Sequence, residues 1–171
     1  MFSVTQNGKK LHKSKYHWNE DTKTFSTNQN NLVLDFSDYY GVTFITGGDC
    51  NFNAGSVCTF ITGGDCTFKT AWRCVFKTGN HCTFKTGFDC NFNTGNDCNF
   101  NTGSDCTFNT GFNCVFKTGG DCVFNTAWNC IFEVGEKCSL RYTWSVCFEV
   151  YKLPENKMIK INYDGKLEDV K

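Results

Sequence analysis

Apolar and polar residues alternate through most of the chain, in a pattern that repeats every eight residues. Each copy reads Cys-x-Phe-x-Thr-Gly-x-x, with apolar side chains at positions 1 and 3 and mostly polar ones at positions 2 and 4. Alternate side chains of a strand share one face, so the pattern predicts a strand whose Cys, Phe and Thr face inward. Glycine at position 6 is predicted to supply the positive φ of a tight turn. Each octad is therefore one strand and one turn, stacked on its neighbours.

The inward positions predict a core made of one phenylalanine and one cysteine from each octad. The core phenylalanines are Phe44, Phe52, Phe60, Phe68, Phe76, Phe84, Phe92, Phe100, Phe108, Phe116, Phe124 and Phe132. The core cysteines are Cys50, Cys58, Cys66, Cys74, Cys82, Cys90, Cys98, Cys106, Cys114, Cys122, Cys130 and Cys138. Val42 fills the cysteine slot of a leading copy, and Leu34 and Phe36 are interpreted as positions 1 and 3 of a degenerate octad before it.

One octad is too short to close a coil, so a coil contains two octads in two facing sheets or three octads in a triangle. Aromatic residues at position 7 favour two. Trp72 and Phe88 are 16 residues apart, and so are Phe112, Trp128 and Trp144 in turn. The step of 24 from Phe88 to Phe112 moves the second group to the opposite edge. The sequence therefore predicts an all-β, two-sheeted parallel β-solenoid (a β-helix) with about 16 residues per coil.

The two ends of the chain depart from the octad and predict caps for the open ends of the sheets. Residues 1–33 are expected to form an amino-terminal β-hairpin cap, residues 34–150 the octapeptide-repeat solenoid, and residues 151–171 a carboxy-terminal β-hairpin cap. Near the end of the repeat, Cys147 follows Cys138 by nine residues, which predicts a bulge or a register slip.

Composition and charge exclude several broad classes. Lys plus Arg and Asp plus Glu both number 17, so a general nucleic-acid binder, which is basic, is not expected. No apolar run is long enough to cross a bilayer, and the amino terminus lacks a secretory signal pattern. We therefore expect the host-cell cytoplasm or a virion as the location. The 13 cysteines are an odd number at a strict period, which favours reduced, buried thiols over disulfides.

The octad, recurring from Val42 to about Cys138, resembles the repeat of a group of uncharacterised Cys-x-Phe-x-Thr-Gly octapeptide-repeat proteins of bacteriophages and bacteria. The segment Lys23-Thr-Phe-Ser-Thr27 is also similar to that group. The resemblance implies no activity. It does imply a phage-encoded origin.

Catalytic and ligand-binding chemistry has little support in the sequence. A nucleophilic cysteine needs a base, and His81, beside Cys82, stands at an exposed turn position. Stacked thiols leave a metal-binding solenoid as an alternative, although we expect no cofactor. Threonines at position 2 leave ice binding as another, although lysines at position 4 interrupt a flat lattice. No small-molecule substrate is indicated.

The remaining class is a non-enzymatic structural or protein-interaction module that binds a protein partner or a second copy. Aromatic residues carry much of the energy of protein interfaces. Those predicted to lie in turns or in the amino-terminal connection are candidate contacts, with covering of the core as the equal alternative. They are Tyr39, Tyr40, Trp72, Phe88, Phe112, Trp128 and Trp144.

Overall fold

The chain forms two β-sheets of 11 and 10 strands and one short 3-10 helix, Lys13–Lys15. The structure, a computed structural model, describes residues 1–144 and 147–170, and for residues 143–151 it describes only the backbone. The strands are β1 (Ser3–Gln6), β2 (Lys9–Lys10), β3 (His17–Asn19), β4 (Thr24–Ser26), β5 (Leu32–Phe36), β6 (Thr43–Ile45), β7 (Asn51–Ala54), β8 (Thr59–Ile61), β9 (Thr67–Lys69), β10 (Val75–Lys77), β11 (Thr83–Lys85), β12 (Asn91–Asn93), β13 (Asn99–Asn101), β14 (Thr107–Asn109), β15 (Val115–Lys117), β16 (Val123–Thr126), β17 (Cys130–Glu133), β18 (Ser139–Trp144), β19 (Cys147–Lys152), β20 (Met158–Ile161) and β21 (Leu167–Asp169).

Consecutive octads alternate between the two sheets, so that each strand pairs with the strand 16 residues away. The first sheet has the order β2-β1-β5-β7-β9-β11-β13-β15-β17-β20-β21, and the second β19-β18-β16-β14-β12-β10-β8-β6-β4-β3. Phe76 pairs in parallel with Phe60 and Phe92, and Phe84 with Phe68 and Phe100. The predicted two-sheeted solenoid with 16 residues per coil is confirmed, with about seven coils.

Phenylalanine rings fill the space between the sheets. Phe92 stacks on Phe76 and on Phe108 with ring centroids 4.8 Å apart and planes 2° from parallel. It also meets Phe84 and Phe100 of the facing sheet edge to face, at 5.2 and 5.3 Å. Offset or parallel stacking within a ladder and edge-to-face contact between ladders are both favourable ring geometries. The stacking distance equals the spacing of strands in a sheet, so one ring fits each coil without a gap.

The cysteines form a ladder in each sheet beside the phenylalanines. All twelve repeat cysteines are buried and free. Their thiols donate weak hydrogen bonds to turn carbonyls: Cys98 Sγ lies 3.3 Å from the Asn96 oxygen and 3.8 Å from the Gly79 oxygen of the preceding coil. The thiols thus satisfy carbonyl groups that the turns leave inside the edge, and the inward direction of the ladder is confirmed.

The positive φ of each turn lies at position 8, so its assignment to the position 6 glycine was wrong. Residues at position 8 have φ from 54 to 62°, from Asp49 to Lys137. Asp and Asn tolerate this left-handed conformation better than most residues. Their backbone N–H groups donate to the position 7 carbonyl of the next coil, as Asp65 does to Asn80 at 2.9 Å. Stacking of the coils therefore holds the turn in this conformation.

Glycine at position 6 is required by close approach between coils. A Cβ on Gly79 would lie 2.7 Å from the backbone nitrogen of Gly64 in the preceding coil. Where alanine replaces this glycine, the coils separate slightly. Ala71 N lies 3.4 Å from the Gly55 oxygen, against 3.1 Å for the equivalent bond from Gly79 to Gly63.

The degenerate octad before Val42 is shifted by two residues from its predicted register. Leu34 pairs with Phe52, so it occupies position 3 rather than position 1, and Phe36 pairs with Ala54 at position 5. Leu32 fills the cysteine slot. The connection from Phe36 to Val42 is two residues longer than an ordinary turn, which moves every earlier residue out of the eight-residue count.

Antiparallel strands cap the solenoid at both ends, as predicted. At the amino-terminal end, β1 and β2 form a hairpin against β5, and β3 pairs with β4. At the other end, β20 and β21 form a hairpin against β17, and β19 pairs with β18. The backbone of Cys147 lies opposite Trp144 at the start of β19, so the irregular spacing marks a hairpin rather than a bulge in the repeat.

Candidate functional site

The turns form two edges along the rod, and each edge carries one residue at position 7 from every coil. On the first edge, where the chain leaves the first sheet, these residues are Ser56, Trp72, Phe88, Ser104, Gly120 and Glu136. On the second edge they are Gly48, Gly64, Asn80, Asn96, Phe112 and Trp128. The predicted separation of the aromatic residues onto opposite edges is confirmed.

Polar residues at position 7 hold consecutive turns together. Asn80 Oδ1 accepts a hydrogen bond from the backbone N–H of Asn96 at 3.0 Å, and Asn96 Oδ1 accepts one from Phe112 at 3.1 Å. On the first edge Ser104 Oγ accepts from the Gly120 N–H at 3.2 Å. An aromatic side chain at this position cannot accept such a bond, so each aromatic residue forgoes a contact between coils.

Trp72 and Phe88 compensate by stacking on each other at the first edge. Their ring centroids are 5.9 Å apart with planes 4° from parallel. The pair nevertheless stays open to solvent, with 38% of Trp72 and 51% of Phe88 exposed. Two large apolar side chains side by side on the surface are unusual in a small polar protein.

Two charged residues at position 8 border this aromatic pair. The Arg73 guanidinium lies 5.1 Å from the Trp72 ring centroid, and its Nε donates to an oxygen of Asp89 at 2.9 Å. We call Trp72, Arg73, Phe88 and Asp89 the edge patch. Sequence reasoning did not include Arg73 or Asp89, although their separation of 16 residues is the signal that would have joined them.

The second aromatic pair is more enclosed. Phe112 and Trp128 stack at 4.9 Å, and Tyr163 from the carboxy-terminal cap meets Trp128 edge to face at 5.5 Å. Both residues are only half exposed, and Trp128 packs against the core. This pair joins the cap to the second edge.

The other aromatic candidates lie apart from both pairs. Tyr39 packs on Phe2 and Phe36 in the amino-terminal aromatic cluster. Tyr40 is 66% exposed, and the Lys23 ammonium lies 4.2 Å from its ring centroid. The side chain of Trp144 lies outside the described residues, so its candidacy remains a prediction.

Buried thiols and an exposed histidine are separated by the alternation of the strand. His81 is exposed at the second edge, whereas Cys82 beside it points into the core. The pKa of the Cys114 thiol is raised to about 11, because it shares a hydrogen bond with the Cys130 thiol and because burial disfavours a thiolate. In the described part of the chain, no three His, Cys, Asp or Glu side chains are arranged to hold a metal ion.

The outer faces of the sheets carry mixed polar rows. Thr67 and Thr83 are neighbours on the first sheet, but Asn51 precedes them and Asn99 follows them. The parallel row at position 4 includes lysines, among them Lys117, whose ammonium contacts Glu133 at 2.9 Å. A continuous threonine row is thus not present on either face of the described coils.

Two open clefts lie at the ends of the solenoid, and the sequence did not predict them. The amino-terminal cleft has a volume of about 650 Å³ and combines aromatic and charged side chains. It is lined by Met1, Phe2, Lys10, Lys13, Tyr16, His17, Trp18 and Glu20. The carboxy-terminal cleft has a volume of about 550 Å³ and is lined by Glu136, Lys137, Lys152, Leu153, Pro154 and Glu155.

No protein-family model, curated protein or solved structure matches the chain. Among the described residues, no helix has the length and apolar character that a membrane span requires.

Proposed function

We propose that the protein is a non-enzymatic structural and protein-interaction module, a rod that binds a protein partner through the edge patch. Its resemblance to repeat proteins of bacteriophages supports a phage-encoded component of the virion or of the infected cell.

The observation that carries this proposal is the exposed stack of Trp72 on Phe88. Position 7 can stabilise the rod with an asparagine, as at Asn80 and Asn96, where the amide bonds the next turn. At the edge patch that bond is absent and apolar surface is exposed instead. Tryptophan and arginine are enriched among the residues that dominate binding energy, and here they are adjacent. The patch therefore serves contact with another protein better than it serves the fold.

The chemistry of the rod agrees with a role that is not catalytic. The thiols, which would be the strongest nucleophiles, are buried and bonded to carbonyls, and the raised pKa of Cys114 keeps it protonated near neutral pH. The mixed rows on the outer faces give ice binding no specific support, and the buried thiols give none to a metal site.

The test replaces both edge aromatics with the residue that the rod uses elsewhere at position 7. In the variant Trp72→Asn with Phe88→Asn, the new amide at position 72 can accept from the N–H of residue 88, so the thermal midpoint should be unchanged or higher. Association with the partner, or with a second copy, should weaken about a hundredfold, because two central aromatic contacts are lost. Proteins retained by the tagged chain from native cells, and light scattering of the pure protein, measure the two cases.

The matched control makes the same change at the second edge, Phe112→Asn with Trp128→Asn. It should lower the thermal midpoint, since Trp128 packs against the core and Tyr163, and it should leave association per folded molecule intact. If the edge-patch variant retains every partner of the parent, or if it unfolds more readily than the control, the aromatic pair only covers the core and the proposal is wrong.

A further inference from the structure

The first sheet ends in a short edge strand at each end of the rod, β2 at one and β21 at the other. Each of these strands pairs on one side only, so each presents backbone N–H and C=O groups along its free side. Such edges are templates for pairing with another chain unless they are blocked.

The strand directions at the two ends are compatible with each other in both sheets. In the first sheet, β2 is antiparallel to β1, which is antiparallel to β5, and β21 is related to β17 through β20 in the same way. Both outer strands therefore run in the direction of the coils. In the second sheet, β3 and β19 both run against the coils. A copy translated along the rod axis would thus extend both sheets with parallel pairs.

The charges of the two edge strands are opposite and share a column of the sheet. Lys10 lies opposite Thr5, which pairs with Val33 at position 2 of its coil. Glu168 lies opposite Lys160, which in turn pairs with a residue at position 2 of the last coil. Both side chains are exposed on the outer face. Translation along the axis therefore places Lys10 next to Glu168 of the following copy.

A second charge reinforces each edge. Lys9 precedes Lys10 in β2, which contains no acidic residue, and Asp169 follows Glu168 in β21, which contains no basic one. Lysine on an edge strand blocks pairing with a copy of the same edge, because like charges would meet. It does not block pairing with an acidic edge.

We propose that the chain associates head to tail with further copies of itself, β2 of one copy pairing with β21 of the next. The contact is heterologous and does not close, so it produces linear filaments rather than a dimer. It uses the ends of the rod and leaves the edge patch free, so this inference does not depend on the proposed function.

The experiment measures the molecular mass of the full chain by sedimentation against concentration and salt. The parent should form linear oligomers at low ionic strength and lose them as salt screens the end charges. Two charge-reversed variants, Lys9→Glu with Lys10→Glu and Glu168→Lys with Asp169→Lys, should each associate at least about tenfold more weakly. Circular dichroism checks that both remain folded.

Restored association is the decisive result. Each reversed variant has one end that suits the altered end of the other, so an equimolar mixture should recover the parent's oligomers. The fourfold variant, with both ends reversed, should recover them alone. The control Lys85→Glu, an exposed change on the outer face of the same sheet, should leave association unchanged.

Three outcomes would overturn the proposal: a parent that stays monomeric at low salt, reversed variants that associate like the parent, or a mixture and fourfold variant that both fail to recover oligomers. None of these results would bear on the edge-patch variants, whose ends are unaltered.

Discussion

At position 8 of the octad, chemically different residues share one backbone conformation. Val57, Arg73, His81 and Lys137 all have φ near 57–60°, as the aspartates and asparagines of the other turns do. Valine is among the residues least suited to this region, because its branched Cβ crowds the backbone. The hydrogen bond from the Val57 N–H to the Trp72 oxygen, at 2.9 Å, shows what holds it there. Contact with the next coil overrides the local preference of the residue.

This strain gives a prediction for Val57. Val57→Asn should raise the free energy of unfolding by about 1 kcal/mol, because asparagine adopts the left-handed conformation at lower cost. The reverse change at an equivalent turn, Asp65→Val, should lower it by a similar amount. Urea unfolding of both variants measures the two effects, and a Val57→Asn variant no more stable than the parent would show that the turn is unstrained.

The position 6 glycines show why the sequence predicted a turn but misplaced its conformation. Glycine is the residue most often associated with positive φ, so a local rule assigned it that role. The structure requires glycine at Gly79 because the neighbouring coil leaves no room for a Cβ. That constraint arises between residues 16 apart and is invisible until the coils are stacked.

At the scale of the strand, alternation decides which side chains carry stability. In β12, Phe92 is 2% exposed between four other rings, while Asn93 next to it is exposed. This division was readable from the sequence, because a period of two within each strand and eight along the chain leaves one consistent inward face. The size of the coil was also readable, since the stacked edge aromatics recur at its period.

The alternation predicts very different effects for two neighbouring substitutions. Phe92→Ala should lower the free energy of unfolding by about 3–5 kcal/mol, because it removes four ring contacts and leaves a cavity in a closely packed ladder. Asn93→Ala should change it by less than about 1 kcal/mol. Chemical unfolding compares them directly, and equal effects would mean that the two residues do not face opposite sides.

Connections between elements were less predictable than the elements. The longer connection before Val42 shifted the assignment of Leu34 and Phe36, since a loop insertion leaves no periodic signal. The hairpin of β18 and β19 and the contact of Tyr163 with Trp128 depend on how the cap folds back. The edge patch was half predicted: its aromatic residues follow from the spacing, whereas the Arg73–Asp89 pair becomes evident only across one coil.

At the scale of the molecule, two ladders of thiols and two of aromatic rings run the length of a rod with no net charge. Each coil contacts only its neighbours, so the capped ends decide whether stacking stops or continues. The edge patch and the rod ends are then the two surfaces that relate this architecture to function, one along the side and one along the axis.

The claim on which all of this depends is that the repeat cysteines are reduced and face the core. Thiol labelling tests it in the variant Cys147→Ser, which retains the twelve repeat cysteines. At about pH 8 and without reductant, native protein should react slowly, because the thiols are buried and protonated. Unfolding in denaturant should then release all twelve for labelling. Rapid stoichiometric labelling of the native protein, or fewer than twelve reactive thiols after unfolding, would contradict the account.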